Sequence, residues 1–213
     1  MAGGAMNKAL TLVALPVLAL LAACNMGGGG NASSEQGELA GARIGAPFTL
    51  TDQDGKRVKW DDFRGKYRIV YFGYTYCPDV CPIDLQRIMQ AFTRFEKAEP
   101  ALAAKVQPIF ISVDPERDTP AVVKIYAAAF HPRLIGLTGT PQEIAKVAKD
   151  FAVLYNAEKA EGASGYLVSH SRTPYLFDPD GKPVALVPVD DPATPVDEGA
   201  PDAVLAFLEK WVK

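Results

Sequence analysis

A run of apolar, β-prone residues, Arg68 to Gly73 (RIVYFG), breaks directly into a Pro-rich turn with two cysteines and then into an amphipathic helix. A strand that is apolar at consecutive positions is buried on both faces and so lies centrally in a sheet. The helix that follows is marked by Leu85, Ile88, Met89, Phe92 and Phe95 at helical spacing, with Pro82 in its first turn, where a missing N–H costs nothing. Strand, turn and helix in this order argue for an α/β sheet domain.

The rest of the chain keeps the alternation. Phe48 to Leu50, the Asp-Gly turn at Asp52 to Gly55, and Val58 read as a hairpin. Val106 to Val113 (VQPIFISV) is a second apolar strand, and Leu134 to Leu137 a shorter one. Helices open at Thr119-Pro120 and at Thr140-Pro141-Gln142-Glu143, the latter a capping box with Pro at the first helical position. Tyr175 to Phe177, Asp178 to Gly181 and Val184 to Val189 read as a closing hairpin, and a last helix runs from about Pro201 to Val212. The expected order is a β-hairpin, β-α-β-α-β-α, a second hairpin and a helix. This order is compatible with a thioredoxin-like mixed sheet flanked by helices, the first hairpin being an N-terminal extension.

At 213 residues the chain has room for one well-buried domain. Its formal net charge of -3 and the lack of a basic run argue against a nucleic-acid partner, which needs a positive face towards phosphate. The N-terminus reads as an address. Lys8 supplies a positive charge, Leu10 to Leu21 are apolar but too few to span a bilayer comfortably, and Leu21-Ala22-Ala23-Cys24 is similar to a bacterial lipobox. Met1 to Ala5 read as an upstream start or an expression remnant. Residues 1–23 are thus expected to be a lipoprotein signal peptide and Cys24 the lipidated residue; a plain membrane anchor or an ordinary signal sequence is the alternative. Residues 24–43, rich in Gly, Ser, Asn and Glu, are expected to be a flexible tether, and residues 44–213 the folded domain. The expected location is the bacterial cell envelope, lipid-anchored on the extracytoplasmic or periplasmic face.

With Cys24 assigned to lipid, Cys77 and Cys81 remain. They sit where a buried strand ends and a helix begins, a place where function concentrates in open sheets and where the helix dipole favours thiolate. Two unpaired core cysteines and a structural disulfide are the plain alternatives. A disulfide across so short a loop would restrict the unfolded chain little. A reactive or metal-binding dithiol accounts better for two cysteines in a Pro-rich turn. Three residues separate them, so both sulfurs can face one point as a chelate and still close to a disulfide. Paired thiolates suit a soft ion such as Cu(I), whereas structural zinc usually takes four protein ligands. Of the two histidines, His131 follows a helix and reads as a capping or solvent residue, and His170 immediately precedes the strand at Tyr175, where the default is a hydrogen-bonded structural role.

Four segments in order carry a family resemblance: Gly73-Tyr-Thr-Tyr-Cys77-Pro-Asp-Val-Cys81-Pro82, Ile111-Ser-Val-Asp114-Pro-Glu-Arg-Asp118-Thr-Pro120, Gly136-Leu-Thr-Gly139, and His170-Ser171 ahead of Tyr175-Leu-Phe-Asp-Pro-Asp-Gly181. From about Ile44 to Lys213 the chain resembles the Sco/SenC family, the copper-handling thioredoxin-like proteins of cytochrome c oxidase assembly. The resemblance implies that Cys77, Cys81 and His170 bind copper as Cu(I) or Cu(II). It implies delivery to the oxidase subunit carrying the CuA centre, possible reduction of that centre's cysteines, and another periplasmic copper donor upstream. Asp79 and Asp114 are the acidic residues expected nearest the site, as supporting or structural groups. Tyr74 and Tyr76 are expected to be strand-end packing. One departure is Ser169, which stands where the family commonly has Asp and removes a carboxylate that could orient the imidazole. Thr173-Pro174 is similar to the cis-proline loop that faces the dithiol in thioredoxins, which keeps open a second reading, thiol-disulfide exchange with partner cysteines. A peroxidase is disfavoured, because Thr75 stands two residues before Cys77 rather than three.

Overall fold

A computed structural model describes residues 37–158 and 165–213. The expected signal peptide, Cys24 and the tether up to residue 36 lie outside the described residues.

The strands are β1 (Thr49–Asp52), β2 (Arg57–Lys59), β3 (Tyr67–Gly73), β4 (Val106–Ser112), β5 (Ile135–Thr138), β6 (Tyr155–Glu158), β7 (Leu167–His170), β8 (Tyr175–Phe177) and β9 (Pro183–Leu186). The α-helices are α1 (Val80–Ala98), α2 (Pro100–Ala103), α3 (Pro120–Phe130), α4 (Pro141–Asp150) and α5 (Pro201–Trp211), with one 3-10 turn at Trp60–Phe63. Seven strands form one mixed sheet in the order β2-β1-β5-β4-β3-β8-β9, the expected thioredoxin-like architecture. β3, β4 and β5 run parallel, with helices connecting them; β1 and β8 are antiparallel to their inner neighbours. The first hairpin is an edge of this sheet rather than an appendage, because β1 pairs with β5.

The central strands are as apolar as their sequences require. Every residue of β4 is buried, and so is β3 beyond Tyr67. Phe48, Trp60, Phe72, Phe151 and Phe177 interlock with ring centroids 5.1 to 6.1 Å apart. Helix starts follow the sequence signals. Thr119 accepts from the Val122 N–H, and Thr140 and Glu143 cap each other's backbone N–H at 3.2 and 2.8 Å.

Three features place the site. The register Gly73↔Ser112 sets the carboxyl ends of β3 and β4 side by side, so the cysteine turn and the loop 113–119 are neighbours. β8 runs antiparallel to β3 with Val70 opposite Tyr175, which carries the residues before Tyr175 to that same end. Those residues extend from β7, which pairs with β6 in a separate two-stranded sheet. Sequence patterning does not announce this small sheet, because Tyr155–Glu158 is exposed beyond its first residue and has no apolar alternation. Among the described residues no helix is long and apolar enough to cross a membrane. Within the expected tether, Leu39 donates its N–H to the Val184 carbonyl and packs on the core, and Glu38 accepts from the Leu186 N–H, so residues from Gly37 dock along β9.

Candidate metal centre

Cys77 lies in the turn after β3, where its N–H donates to the Tyr74 carbonyl, and Cys81 is the second residue of α1. Cys81 is fully buried and Cys77 half-buried. Gly73 makes room for this arrangement: a Cβ there would meet Cys81 Sγ at 3.1 Å. His170 ends β7 and points its Nε2 at Cys81 Sγ, 3.1 Å away. One donor atom from each of Cys77, Cys81 and His170 lies within 4.8 Å of the other two. The three residues brought together by the resemblance are thus together in space, and both thiols are free.

The imidazole is preset for ligation. Its Nδ1 faces the Ser171 carbonyl oxygen at 3.0 Å, and only an N–H can satisfy that contact. The neutral ring therefore carries its proton on Nδ1 and presents the Nε2 lone pair to the sulfurs. The Tyr74 ring, buried, stands edge-on to the imidazole at 6.0 Å.

The two thiols differ electrostatically. Cys77 is pulled well below the ordinary thiol range, first by a hydrogen bond from Cys81 and then by the N–H groups of Asp79 and Cys81 at the helix start. Cys81 is pushed up by the same shared hydrogen bond and by burial. The bias is towards thiolate on the outer sulfur, Cys77. A thiolate, a second sulfur and a free imidazole nitrogen form a soft donor set. Three donors each about 2.3 Å from one ion stand about 4 Å apart in a trigonal arrangement; those here all lie within 4.8 Å of one another, with Cys81 Sγ and His170 Nε2 3.1 Å apart, so the set can close on a copper ion as cargo with small side-chain shifts.

The two expected acidic neighbours take different places. Asp79 occupies the N-cap position of α1, exposed, and its side chain makes no capping bond. Asp114 is buried after β4, where it accepts from Arg117 Nε at 2.5 Å and from the Tyr166 hydroxyl at 2.6 Å. Arg117 also donates to the Tyr166 carbonyl and lies over the rings of Tyr166 and Tyr76 at 3.7 and 4.8 Å. Tyr166 directly precedes β7, so Asp114 and Arg117 fasten the start of the strand that carries His170. Tyr76 is largely exposed, covering Arg117. His131 caps the C-terminus of α3 and is buried against Glu96 at 2.9 Å, far from this chemistry in its contacts. The Thr173-Pro174 peptide is trans.

Several residues around the centre escape a reading of the sequence. Asp118, fully buried, accepts from Ser112, the Thr75 hydroxyl and the Thr75 N–H, pinning the turn ahead of Cys77; burial holds its carboxyl above the usual range. Asp84, three residues past Cys81, is 1% exposed and accepts two bonds from Arg172 at 2.5 and 2.6 Å and one from the Tyr71 hydroxyl at 3.0 Å. The signal for Asp84 was available, since it is a carboxylate beside Leu85 on the apolar stripe of α1. Nothing local marks Arg172 as its partner, 88 residues away.

Comparison with known proteins converges on one group. Residues 36–200 match the SCO1/SenC family. The chain is 47% identical over 147 residues to the mitochondrial SCO1 homolog 1 of Arabidopsis thaliana, covering 68% of this chain and 43% of that protein. It spans about half the length of the curated relatives it matches. The fold is similar to that of Bradyrhizobium japonicum ScoI with copper bound, at 40% identity and a TM-score of 0.68, covering 79% of this chain and 99% of that one. It is also similar to BsSco, a member of the Sco family of cytochrome c oxidase assembly proteins in which a disulfide switch has been identified. That match has 29% identity and a TM-score of 0.56, and covers 78% of this chain and 91% of that one.

Proposed function

This chain belongs to the SCO1/SenC family, and on that premise we propose that it is a copper-binding metallochaperone of cytochrome c oxidase assembly. The observation that carries the reading is the convergence of Cys77, Cys81 and His170, with Cys81 Sγ 3.1 Å from His170 Nε2. Two sulfurs and one nitrogen satisfy a three-coordinate Cu(I) ion. Cu(II) can use the same donors with water or a carboxylate as a fourth. Only three protein ligands hold the ion, and Cys77 and His170 are both partly exposed, so a partner's ligands can replace them one at a time. The cargo's destination in this reading is the oxidase subunit carrying CuA, and its source another extracytoplasmic copper donor. Attachment through Cys24 would keep the domain at the envelope membrane, within reach of a membrane-bound oxidase.

The asymmetry of the thiols supports a second capability. Cys77, the partly exposed thiolate, can attack a partner disulfide and release one partner thiolate. Cys81 then passes its proton to that first partner thiolate and attacks the mixed disulfide at Cys77, releasing the second partner thiolate, which takes a proton from water. The pair ends as a Cys77–Cys81 disulfide and the partner gains two electrons as a dithiol. Copper binding needs the pair reduced, so the two activities alternate on one site.

Anaerobic Cu(I) titration of the reduced chain, compared with Cys77→Ser and His170→Ala, tests the reading. Stoichiometric binding lost or strongly weakened in both variants is expected. Binding indifferent to His170 would sink the three-ligand site and leave thiol exchange as the function.

A further inference from the structure

His170 has little to hold it in place by itself. Its strand, β7, pairs only with β6, outside the main sheet, and a lone two-stranded pair is marginally stable in water. Ser169 does not help: its hydroxyl turns away to Glu158 at 2.8 Å, so no carboxylate at that position reaches the ring. The distance from Nε2 to the sulfurs must therefore be set by what fastens β7 at its ends. The start is tied at Tyr166. The end is tied to the Leu154 backbone at Ser171, whose N–H donates to the Leu154 carbonyl at 2.8 Å and whose hydroxyl accepts from the Leu154 N–H at 3.0 Å, and to α1, two residues past the histidine, by Arg172.

Arg172 joins three parts of the molecule. Its Nε and one terminal nitrogen donate in parallel to the two oxygens of Asp84, at 2.6 and 2.5 Å. The other terminal nitrogen donates to the Asp190 carbonyl at 2.5 Å. Asp84 sits on α1 one turn after Cys81 and also accepts from the Tyr71 hydroxyl at 3.0 Å. A two-pronged guanidinium–carboxylate pair fixes direction as well as distance, which a single contact does not. Buried pairs of this kind contribute little net stability yet penalise any arrangement that leaves one charge alone.

We infer that the pair formed by buried Asp84 and partly buried Arg172 is the positioning device of the site, locking the His170 strand to the helix that carries Cys81. Arg172 acts on the metal ligand through the backbone of Ser171 and supplies, from the other side of the histidine, the orienting role for which residue 169 has no carboxylate. The Ser171 carbonyl that receives the imidazole Nδ1–H lies between His170 and Arg172 in the chain, so displacing Arg172 moves the acceptor that fixes the tautomer.

The inference rests on the copper reading for one of its two readouts. The other is metal-free: the His170 Nδ1–H resonance of the reduced, copper-free full chain, observed by nitrogen-edited NMR. In wild type this proton is expected to be protected from solvent; in Arg172→Met it is expected to broaden or vanish while the thermal unfolding transition persists. An unchanged resonance would overturn the inference. For Cu(I), Arg172→Met is expected to weaken binding about tenfold or more, in the range found for residues that orient a ligand. In a His170→Ala background the same change should cost nothing further. Equal losses with and without His170 would show a general structural effect and overturn the inference. If Arg172→Met does not fold, Arg172→Lys, which can keep one of the two bonds, is expected to bind Cu(I) with an affinity between those of wild type and His170→Ala and to broaden the His170 Nδ1–H resonance relative to wild type; wild-type behaviour in both readouts would contradict the positioning role. A chain that binds no Cu(I) at all would refute the metallochaperone reading and leave the imidazole resonance to decide this one.

Discussion

Replacing Gly73 by Ala probes how closely the sheet is fitted to the dithiol. The added methyl would meet Cys81 Sγ at 3.1 Å, Tyr71 Cε1 at 3.1 Å and Phe110 Cε2 at 3.2 Å. All three neighbours are buried, with 1% exposure or less, so none can swing into solvent. Comfortable carbon contacts lie at about 3.5–4.0 Å, so each neighbour must retreat by a few tenths of an ångström. Such overpacking costs about 1–3 kcal/mol. Stiffening the unfolded chain returns about 0.4–1 kcal/mol. The balance is a loss of roughly 1–2 kcal/mol, equivalent to about 2–8 °C in the unfolding midpoint of a domain this size. The same shift disturbs a sulfur already 3.1 Å from His170 Nε2, so copper affinity should fall along with stability. Thermal unfolding of the reduced, metal-free chain and Cu(I) competition measure the two effects. A variant with the wild-type midpoint and wild-type affinity would refute the claim that Gly73 is there to seat Cys81.

Two further perturbations test the surroundings. Tyr166→Phe removes the hydroxyl that donates to buried Asp114 at 2.6 Å, a bond to a charged acceptor worth about 1.5–3 kcal/mol, reduced here because Arg117 remains; a lower urea midpoint with faster amide exchange over β7 is expected, and exchange unchanged there would contradict the fastening role. Glu143 is held below the usual carboxylate range, first by Arg57 and then by the Thr140 N–H, so its ionised form favours the folded state. That contribution is present above the ordinary glutamate value and is lost as pH falls through the lower folded one. Because Arg57 is half exposed, the gap between wild type and Glu143→Gln should be under about 1 kcal/mol at neutral pH and should close as the pH falls below the ordinary glutamate range; a gap independent of pH in urea titrations would contradict it.

Much of this molecule is written locally. Arg68 to Gly73 and Val106 to Ser112 reveal themselves as central strands because burial on both faces gives them consecutive apolar residues, Ile69 to Phe72 and Pro108 to Ile111, with polar Arg68, Gln107 and Ser112 confined to their ends. The starts of α3 and α4 are legible because Thr-Pro fixes both a cap and a backbone angle. Element ends are less so: β5 is Ile135–Thr138 rather than 134–137, β9 stops at Leu186 rather than 189, and α5 ends one residue earlier, at Trp211. The candidate metal ligands are legible only in part. Cys77 and Cys81 stand out through their spacing at a strand-to-helix turn, whereas His170 was marked by resemblance alone. What escapes is long-range. Arg172 and Asp84 meet across 88 positions, and Asp118 reaches Thr75 across 43, so neither pairing leaves a periodic trace. β6 escapes because a strand exposed along most of its length carries no apolar alternation.

The central claim is that Cys77, Cys81 and His170 bind one copper ion together. X-ray absorption on the reduced chain loaded with one equivalent of Cu(I) tests it most directly. The account predicts two sulfur neighbours and one imidazole nitrogen, with the nitrogen lost in His170→Ala and one sulfur lost in Cys77→Ser. A copper ion surrounded by sulfur alone in the wild-type chain, or a spectrum unchanged by His170→Ala, would contradict it.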